Sequence, residues 1–366
     1  MIRVLQMIGS LNIGGSQAMI MNIYRKINKR KVQFDFIVDH GTELYYADEI
    51  KKLGGKIFIF PTFKGSNILN VVQYWNKFFR EHPEYKVLHS HVRSYATIYL
   101  PIAKKYGVKT IIHSHSTSNG KGLSSIVKLI MQYPLRYQAD YLFSCSKEAG
   151  EWLFGKKAIK SNRYYMIRNA IDSKIYCRDD RIRKKYRQQL GISDDESLYI
   201  HVGRLHEAKN HVFLLNVFRA VLNKEKKSKL ILVGNGDLYK FIKSEIQKLK
   251  ISENVIMLGA RNDVAELLIS ADYFLFPSKW EGLPVTVVEA QAAGLPCYVS
   301  NNITRDVNVS KLVRNISIDD GIEPWVKEII KHDMHYEDVS NEIIESGFDI
   351  GSSVRWITNF YEGISI

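Results

Sequence analysis

Short apolar runs alternate with segments of helical period along the whole chain. In the first half the runs are Val4 to Ile8, Phe34 to Val38, Ile57 to Phe60, Val87 to His89 and Thr110 to His113; in the second they are Leu198 to Val202, Leu230 to Val233, Val255 to Leu258 and Tyr273 to Phe276. Between them lie apolar-periodic stretches such as Val212 to Leu222 and Val287 to Ala293, which predict helices. Strands alternating with helices predict βαβ units, and therefore parallel sheets with helices on both faces. A polar connector between Ile175 and Ser193, crowded with Asp179, Asp180, Arg181, Arg183, Lys184, Lys185 and Arg187, interrupts the pattern and marks a domain boundary. The expected division is 1–178, 179–350 and a last helix, 351–366, whose apolar set is Val354, Trp356, Ile357 and Phe360. At 366 residues and 45% hydrophobic content the chain can bury two ordinary cores. No internal repeat or low-complexity segment is present.

The stretch from Trp280 to Glu289 (WEGLPVTVVE) joins a predicted strand to a predicted helix and places a carboxylate at either end. Free backbone N–H groups at such a turn can hold an anion or a polar sugar. Ionised carboxylates accept hydrogen bonds from vicinal hydroxyls. Taken alone, Glu281 is equally well a helix cap and Glu289 a solvated surface residue. Upstream, the strand Leu198 to Val202 runs into Gly203-Arg204-Leu205-His206-Glu207-Ala208-Lys209-Asn210. Arg204 and Lys209 thus sit at a strand's carboxyl end, where open parallel sheets bind ligands, and Gly203 permits close backbone approach. Together they can clamp a diphosphate and carry the charge that grows as a nucleotide departs. Singly, each is an ordinary surface cation.

Gly203-Arg204 with Lys209-Asn210, then Gly234-Asn235-Gly236, then the paired Glu281 and Glu289, together resemble the retaining glycosyltransferases of family 4, which have the two-domain GT-B fold. The runs Cys145 to Leu153 and Asn169-Ala170-Ile171-Asp172 are similar to those of its capsular and exopolysaccharide branch, with Ala170 standing where the family usually has glycine. The resemblance covers nearly the whole chain. It implies two Rossmann-like parallel-sheet domains facing a central cleft, the first binding the acceptor and the second the nucleotide sugar. It implies transfer of a hexose or N-acetylhexosamine, with retention, from a UDP-linked donor to a lipid-linked saccharide. Within that scheme Arg204 and Lys209 carry the diphosphate and Glu289 holds the ribose. Glu281, with the segment of Gly282, Leu283, Pro284 and Val285 and its free amides, holds the donor sugar. Gly259, Ala260 and Arg261 meet the base. The leaving phosphate itself takes the acceptor proton on the retained face.

Gly14-Gly15, before the helix begun by Ser16, is neither a Walker loop nor a dinucleotide fingerprint. The resemblance makes it a donor-diphosphate contact. His89-Ser90-His91 and His113-Ser114-His115 each end a strand, and two such pairs also suit zinc, so a His-x-His hydrolase is one alternative and a nucleotide-sugar epimerase another. By resemblance His115 lies at the reaction centre, hydrogen-bonding the donor sugar and helping to position the acceptor, and His91 lines the cleft. No Asp-x-Asp element is present, and with two fixed cations on the diphosphate neither a metal nor a cofactor is expected.

Charge then separates the halves. Residues 1–178 hold 28 Lys and Arg against 11 Asp and Glu, a balance of +17, while 179–366 hold 24 against 27, a balance of −3. No nucleic-acid motif accompanies the basic half, so an anionic membrane surface is its expected partner. Two basic amphipathic segments, Lys64 to Arg80 and Lys121 to Arg136, are the candidate docking elements, although such faces commonly pack on a core instead. Three scattered cysteines, no apolar run of membrane-spanning length and no signal-peptide pattern predict a cytoplasmic protein, at most peripheral on the membrane.

Overall fold

The computed structural model describes residues 1–12, 14–40, 45–115 and 123–365, which divide into two compact units, 1–170 with 350–366 and 171–349. The first holds seven parallel strands: β1 (Ile2–Gly9), β2 (Val32–Val38), β3 (Ile57–Ile59), β4 (Val87–Ser90), β5 (Lys109–Ser114), β6 (Tyr141–Ser144) and β7 (Tyr164–Met166). Their order across the sheet is β3-β2-β1-β4-β5-β6-β7. The second holds six: β8 (Ser197–Val202), β9 (Ser228–Val233), β10 (Val255–Gly259), β11 (Tyr273–Phe276), β12 (Cys297–Ser300) and β13 (Val313–Ile316), ordered β10-β9-β8-β11-β12-β13. Both sheets are Rossmann-like. Each winds outward from a central pair, β1 beside β4 and β8 beside β11, where the strand order reverses.

Alternation along each strand explains why helices cover both faces. On the first sheet Val4, Phe34, Phe36, Val87, Ile111 and Phe143 face one core, while Leu5, Met7, Ile37, Leu88, Ile112 and Leu142 face the other. On the second, Leu198, Ile200, Phe274 and Phe276 oppose Tyr199, Leu230, Leu232 and Leu275. The strands β6, β7, β12 and β13 extend the sheets beyond the apolar runs legible in sequence. Each has only three or four residues, and β6 and β12 end in serine, too little for a period to show.

The boundary falls between Ala170 and Ile171, before the polar stretch rather than within it at 178 and 179. That stretch is the first helix of the second unit, Asp180–Leu190, not a linker. Asp179 caps it by accepting from the Arg181 and Ile182 amides, and Gly191 ends it in the left-handed region at φ 67. Arg187 is buried, donating to the carbonyls of Ser193 and Glu196 at 2.6 Å each and pairing with Asp272 at 3.1 Å. The charges that look like solvated connector fasten the helix to its own sheet.

The two basic amphipathic segments part ways. Helix Ile68–Glu81 buries Val71, Trp75, Phe78 and Phe79 in the core, as such faces commonly do, and leaves Ile68 and Leu69 exposed at its start. Helix Leu123–Gln132 instead leaves Ile126, Val127, Leu129 and Ile130 more than half exposed, with Tyr133 and Tyr137 exposed beyond its end. Lys121, Gly122 and the side chains of Leu123 and Ser124 lie outside the described residues. The last helix, Ile350–Ile364, belongs to the first unit, where Phe360 packs on Phe143 at 5.1 Å and Tyr361 on Phe34 at 5.9 Å.

Candidate functional site

In the second unit the loops leaving β8 and β11 emerge side by side at the point of strand reversal. Gly203 follows β8 and donates its N–H to Val233 at 2.9 Å. Gly234, at φ 139, comes so close that a Cβ there would lie 2.0 Å from the Gly203 carbonyl oxygen. Only glycine fits. Asn235 holds the next turn, its carbonyl taking the Leu205 N–H at 3.0 Å.

A short turn, Glu207–Lys209, and Asn210 in the left-handed region at φ 55 then start helix His211–Lys224. This turn folds Lys209 back over Gly203, where a side chain would meet the lysine Cε at 2.9 Å. The Lys209 Nζ lies 2.7 Å from Glu281 Oε1 and 4.5 Å from the centre of the Phe276 ring, with both charged side chains 15% exposed. Lys279 ties the two loops, donating its amide to the Ala208 carbonyl at 2.8 Å. Gly203, Lys209 and Glu281, separated by up to 78 positions in sequence, therefore form one cluster.

The remaining residues stand around it differently. Arg204 is exposed and pairs with Asp237 at 3.2 Å. Arg261 pairs with Asp263 at 2.8 Å and holds that carboxyl down to about 2; Ala260 beside it is exposed. Gly282 is exposed, Leu283 and Val285 are half-buried and Pro284 is buried ahead of helix Val285–Ala292, whose amino end no side chain caps. Glu289 lies just over one turn inside that helix. It is no solvated surface residue: burial pushes its carboxyl up, and the Tyr176 hydroxyl donates to it.

Sequence reading overlooks a polar floor here. His201 on β8 and His211 at the next helix start are buried with rings 5.0 Å apart. Burial lowers both, His211 to about 4 and His201 well below its ordinary value, so both are neutral. The hydroxyls of Ser278 and Thr286 are buried without a hydrogen-bond partner among the described residues. In β8, His201 occupies a position that the apolar pattern assigns to the core, and nothing in the sequence separates it from a packing residue.

In the first unit Gly14 is extended and uncapped ahead of helix Gly15–Lys26. The four histidines at the ends of β4 and β5 form one group. His89 Nε2 lies 3.2 Å from His113 Nδ1, and His91 Nδ1 lies 2.7 Å from His115 Nε2. Burial holds all four below the ordinary imidazole range, His89 and His115 at about 3. Nitrogens of His89, His91 and His113 lie within 4.8 Å of one another, so the donor set is compatible with a metal, yet the rings already bond to each other, to Gln6 and to Tyr361.

Comparison with known proteins bears on both units. Residues 182–331 match the family described as glycosyl transferases group 1, and residues 13–174 match glycosyltransferase family 4. The chain is 32% identical over 369 residues to the putative glycosyltransferase EpsF of Bacillus subtilis, covering 98% of this chain and 96% of the relative. It is 26% identical to an Escherichia coli UDP-Gal:alpha-D-GlcNAc-diphosphoundecaprenol alpha-1,3-galactosyltransferase, over 60% of this chain and 58% of that one. Its fold is similar to that of HepE from Anabaena, solved in complex with UDP, with a TM-score of 0.72 at 16% identity, covering 100% and 97% of the two chains. Nothing among these matches supports the zinc-hydrolase alternative.

Proposed function

The chain belongs to the glycosyltransferases described as group 1 and family 4, with the GT-B fold, and from that premise we propose that it moves a hexose or N-acetylhexosamine from a UDP-linked donor, with retention and without a metal ion. One observation carries this reading: Lys209, folded over the bare backbone of Gly203, faces Glu281 at the strand-reversal point of the second sheet. A fixed cation there offsets a departing diphosphate without the reorganisation that a solvated charge requires. Arg204 lies nearby on a flexible, exposed side chain and supplies a second cation by leaving Asp237. Glu281 and the segment Gly282 to Val285 hold the donor sugar, Glu289 the ribose, and Ala260 and Arg261 border the base. Gly14, Gly15, Asn210, Gly234 and Asn235 shape the surrounding loops. In the first unit, His115 hydrogen-bonds the donor sugar and meets the acceptor.

The acceptor is proposed to be a saccharide on a lipid diphosphate. The E. coli relative acts on a diphosphoundecaprenol-linked sugar, and the Staphylococcus aureus relative CapH is named for capsular polysaccharide biosynthesis. Such an acceptor is met at an anionic membrane. No described helix is long and apolar enough to cross one, so the protein is proposed to be cytoplasmic and peripheral, docking through helix Leu123–Gln132. Flotation with phosphatidylglycerol vesicles should therefore weaken by about a hundredfold in an Ile126→Ser, Ile130→Ser double variant, since each exposed isoleucine contributes about 1.5 kcal/mol when buried. Undiminished flotation of that variant would remove the docking element.

Thermal unfolding with UDP and UDP-sugars tests the donor site, because ligand at one hundred times its Kd stabilises by about 2.7 kcal/mol. The expected result is a shift with UDP that persists in EDTA, and UDP release from the true donor that EDTA does not slow. A strict requirement for added divalent metal would contradict the fixed-cation account.

A further inference from the structure

Gln6 is almost wholly buried on β1, where it is the cross-strand neighbour of His89 on β4, yet it takes no part in the chemistry described so far. Its amide touches one histidine pair directly and reaches the other through Tyr361. Gln6 Oε1 lies 3.0 Å from His91 Nε2, and Gln6 Nε2 lies 3.4 Å from the Tyr361 hydroxyl.

A carbonyl oxygen only accepts, so His91 carries its proton on Nε2 and leaves Nδ1 bare. The contact at 2.7 Å then requires His115 to donate from Nε2, which leaves His115 Nδ1 bare as well. On the other side, the Gln6 amide N–H donates to the Tyr361 oxygen, so Tyr361 donates to His89 Nδ1 at 2.6 Å. His89 Nε2–H in turn donates to His113 Nδ1 at 3.2 Å, and His113 is protonated on Nε2. Two parallel relays start at one amide and end with opposite polarity. Both ends, His115 Nδ1 and His113 Nε2, are buried and without a hydrogen-bond partner among the described residues.

We infer that Gln6 is a positioning residue: its amide fixes the tautomers of both relays, so that His115 presents a lone pair for a hydroxyl proton of the incoming saccharide while His113 presents an N–H. The inference rests on the reading that His115 meets the acceptor. An orphaned acceptor shielded from water carries an unmet desolvation cost, and a substrate hydroxyl that reaches it recovers that cost. The opposite amide orientation would reverse every proton in both relays, so the direction is open to direct measurement.

The full chain labelled with nitrogen-15 at histidine should show His115 protonated at Nε2 and His113 at Nε2 by two-dimensional NMR near neutral pH. Gln6→Leu should convert His115 to a mixture of tautomers, and Gln6→Met, which keeps the volume, should do the same. With UDP-glucose and UDP-N-acetylglucosamine as donor probes and a short-chain lipid-diphosphate N-acetylglucosamine as acceptor probe, acceptor KM should rise about fivefold to tenfold, the share of one hydrogen bond. A proton on Nδ1 of His115 in the unsubstituted protein overturns the relay. A tautomer change in either variant with no change in acceptor KM leaves the relay standing and overturns the role of His115 toward the acceptor.

Discussion

Lys209→Ala is expected to lower sugar transfer by about two to three orders of magnitude, the loss typical of removing one preorganised group that stabilises transition-state charge. Its ammonium is held on three sides, by the Gly203 backbone beneath its stem, by Glu281 at 2.7 Å and by the Phe276 ring at 4.5 Å. Such a cation is in place before the nucleotide leaves. The same truncation also strands Glu281, which is only 15% exposed, so part of any loss could reflect structure. Breaking a fully buried pair costs about 3–5 kcal/mol, and this partly exposed one costs less. A double variant, Lys209→Met with Glu281→Gln, separates the two effects because it removes both charges and leaves neither unpaired. Its melting temperature should return close to the original while transfer stays lost. Recovery of transfer in that double variant, or full activity in Lys209→Ala, would show that the pair is structural and would dissolve the proposed diphosphate clamp.

How far the sequence foretold this site depends on the kind of signal each residue emits. Lys209, Glu281 and Gly203 were legible because they stand beside strand ends, and strand ends are marked by apolar runs of visible length. Gly234 was legible as a motif residue, but the reason it must be glycine, a backbone approach of 2.0 Å to where its Cβ would be, exists only in three dimensions. The stretch around Arg187 was misread for the same reason. Seven charges between Asp179 and Arg187 look like solvent-facing connector, and only the acceptors supplied by Ser193, Glu196 and Asp272 turn one of them into a core residue. The two amphipathic helices carried equivalent patterns, and no periodicity could say that Trp75 finds a core while Ile130 stays 68% exposed. Gln6 and His201 were invisible because a polar residue inside an apolar strand gives no sign of whether its partners exist, and His211 because polar residues are ordinary at a helix start.

Mild acid should destabilise both units well before ordinary carboxylates titrate. His89 and His113 in the first unit, and His201 and His211 in the second, are at most 3% exposed, and burial lowers all four below 6.5. The sign follows from that direction. Below pH 6.5 the unfolded chain takes up protons that the folded imidazoles refuse, so stability is complete above 6.5 and falls through the window toward the lowered values, about 4 for His211 and about 3 for His89. At pH 5.5 each such histidine withdraws about 1.4 kcal/mol, hence about 3 kcal/mol for the pair in either unit, a large share of the usual 5–15 kcal/mol. His91 and His115, less shielded, add to this in the first unit. Opposing groups are few in that window. Asp263, held at about 2 by Arg261, keeps its contribution until far lower pH, and Glu289, pushed up by burial, gains rather than loses stability on protonation. Guanidinium midpoints followed from pH 7.5 to 5 should therefore fall steeply, and His211→Phe should remove about 1.4 kcal/mol per pH unit from the slope of the second unit. A midpoint that stays level across that range would mean the buried imidazoles accept protons in place, and the neutral relays that start at Gln6 would have to be abandoned with them.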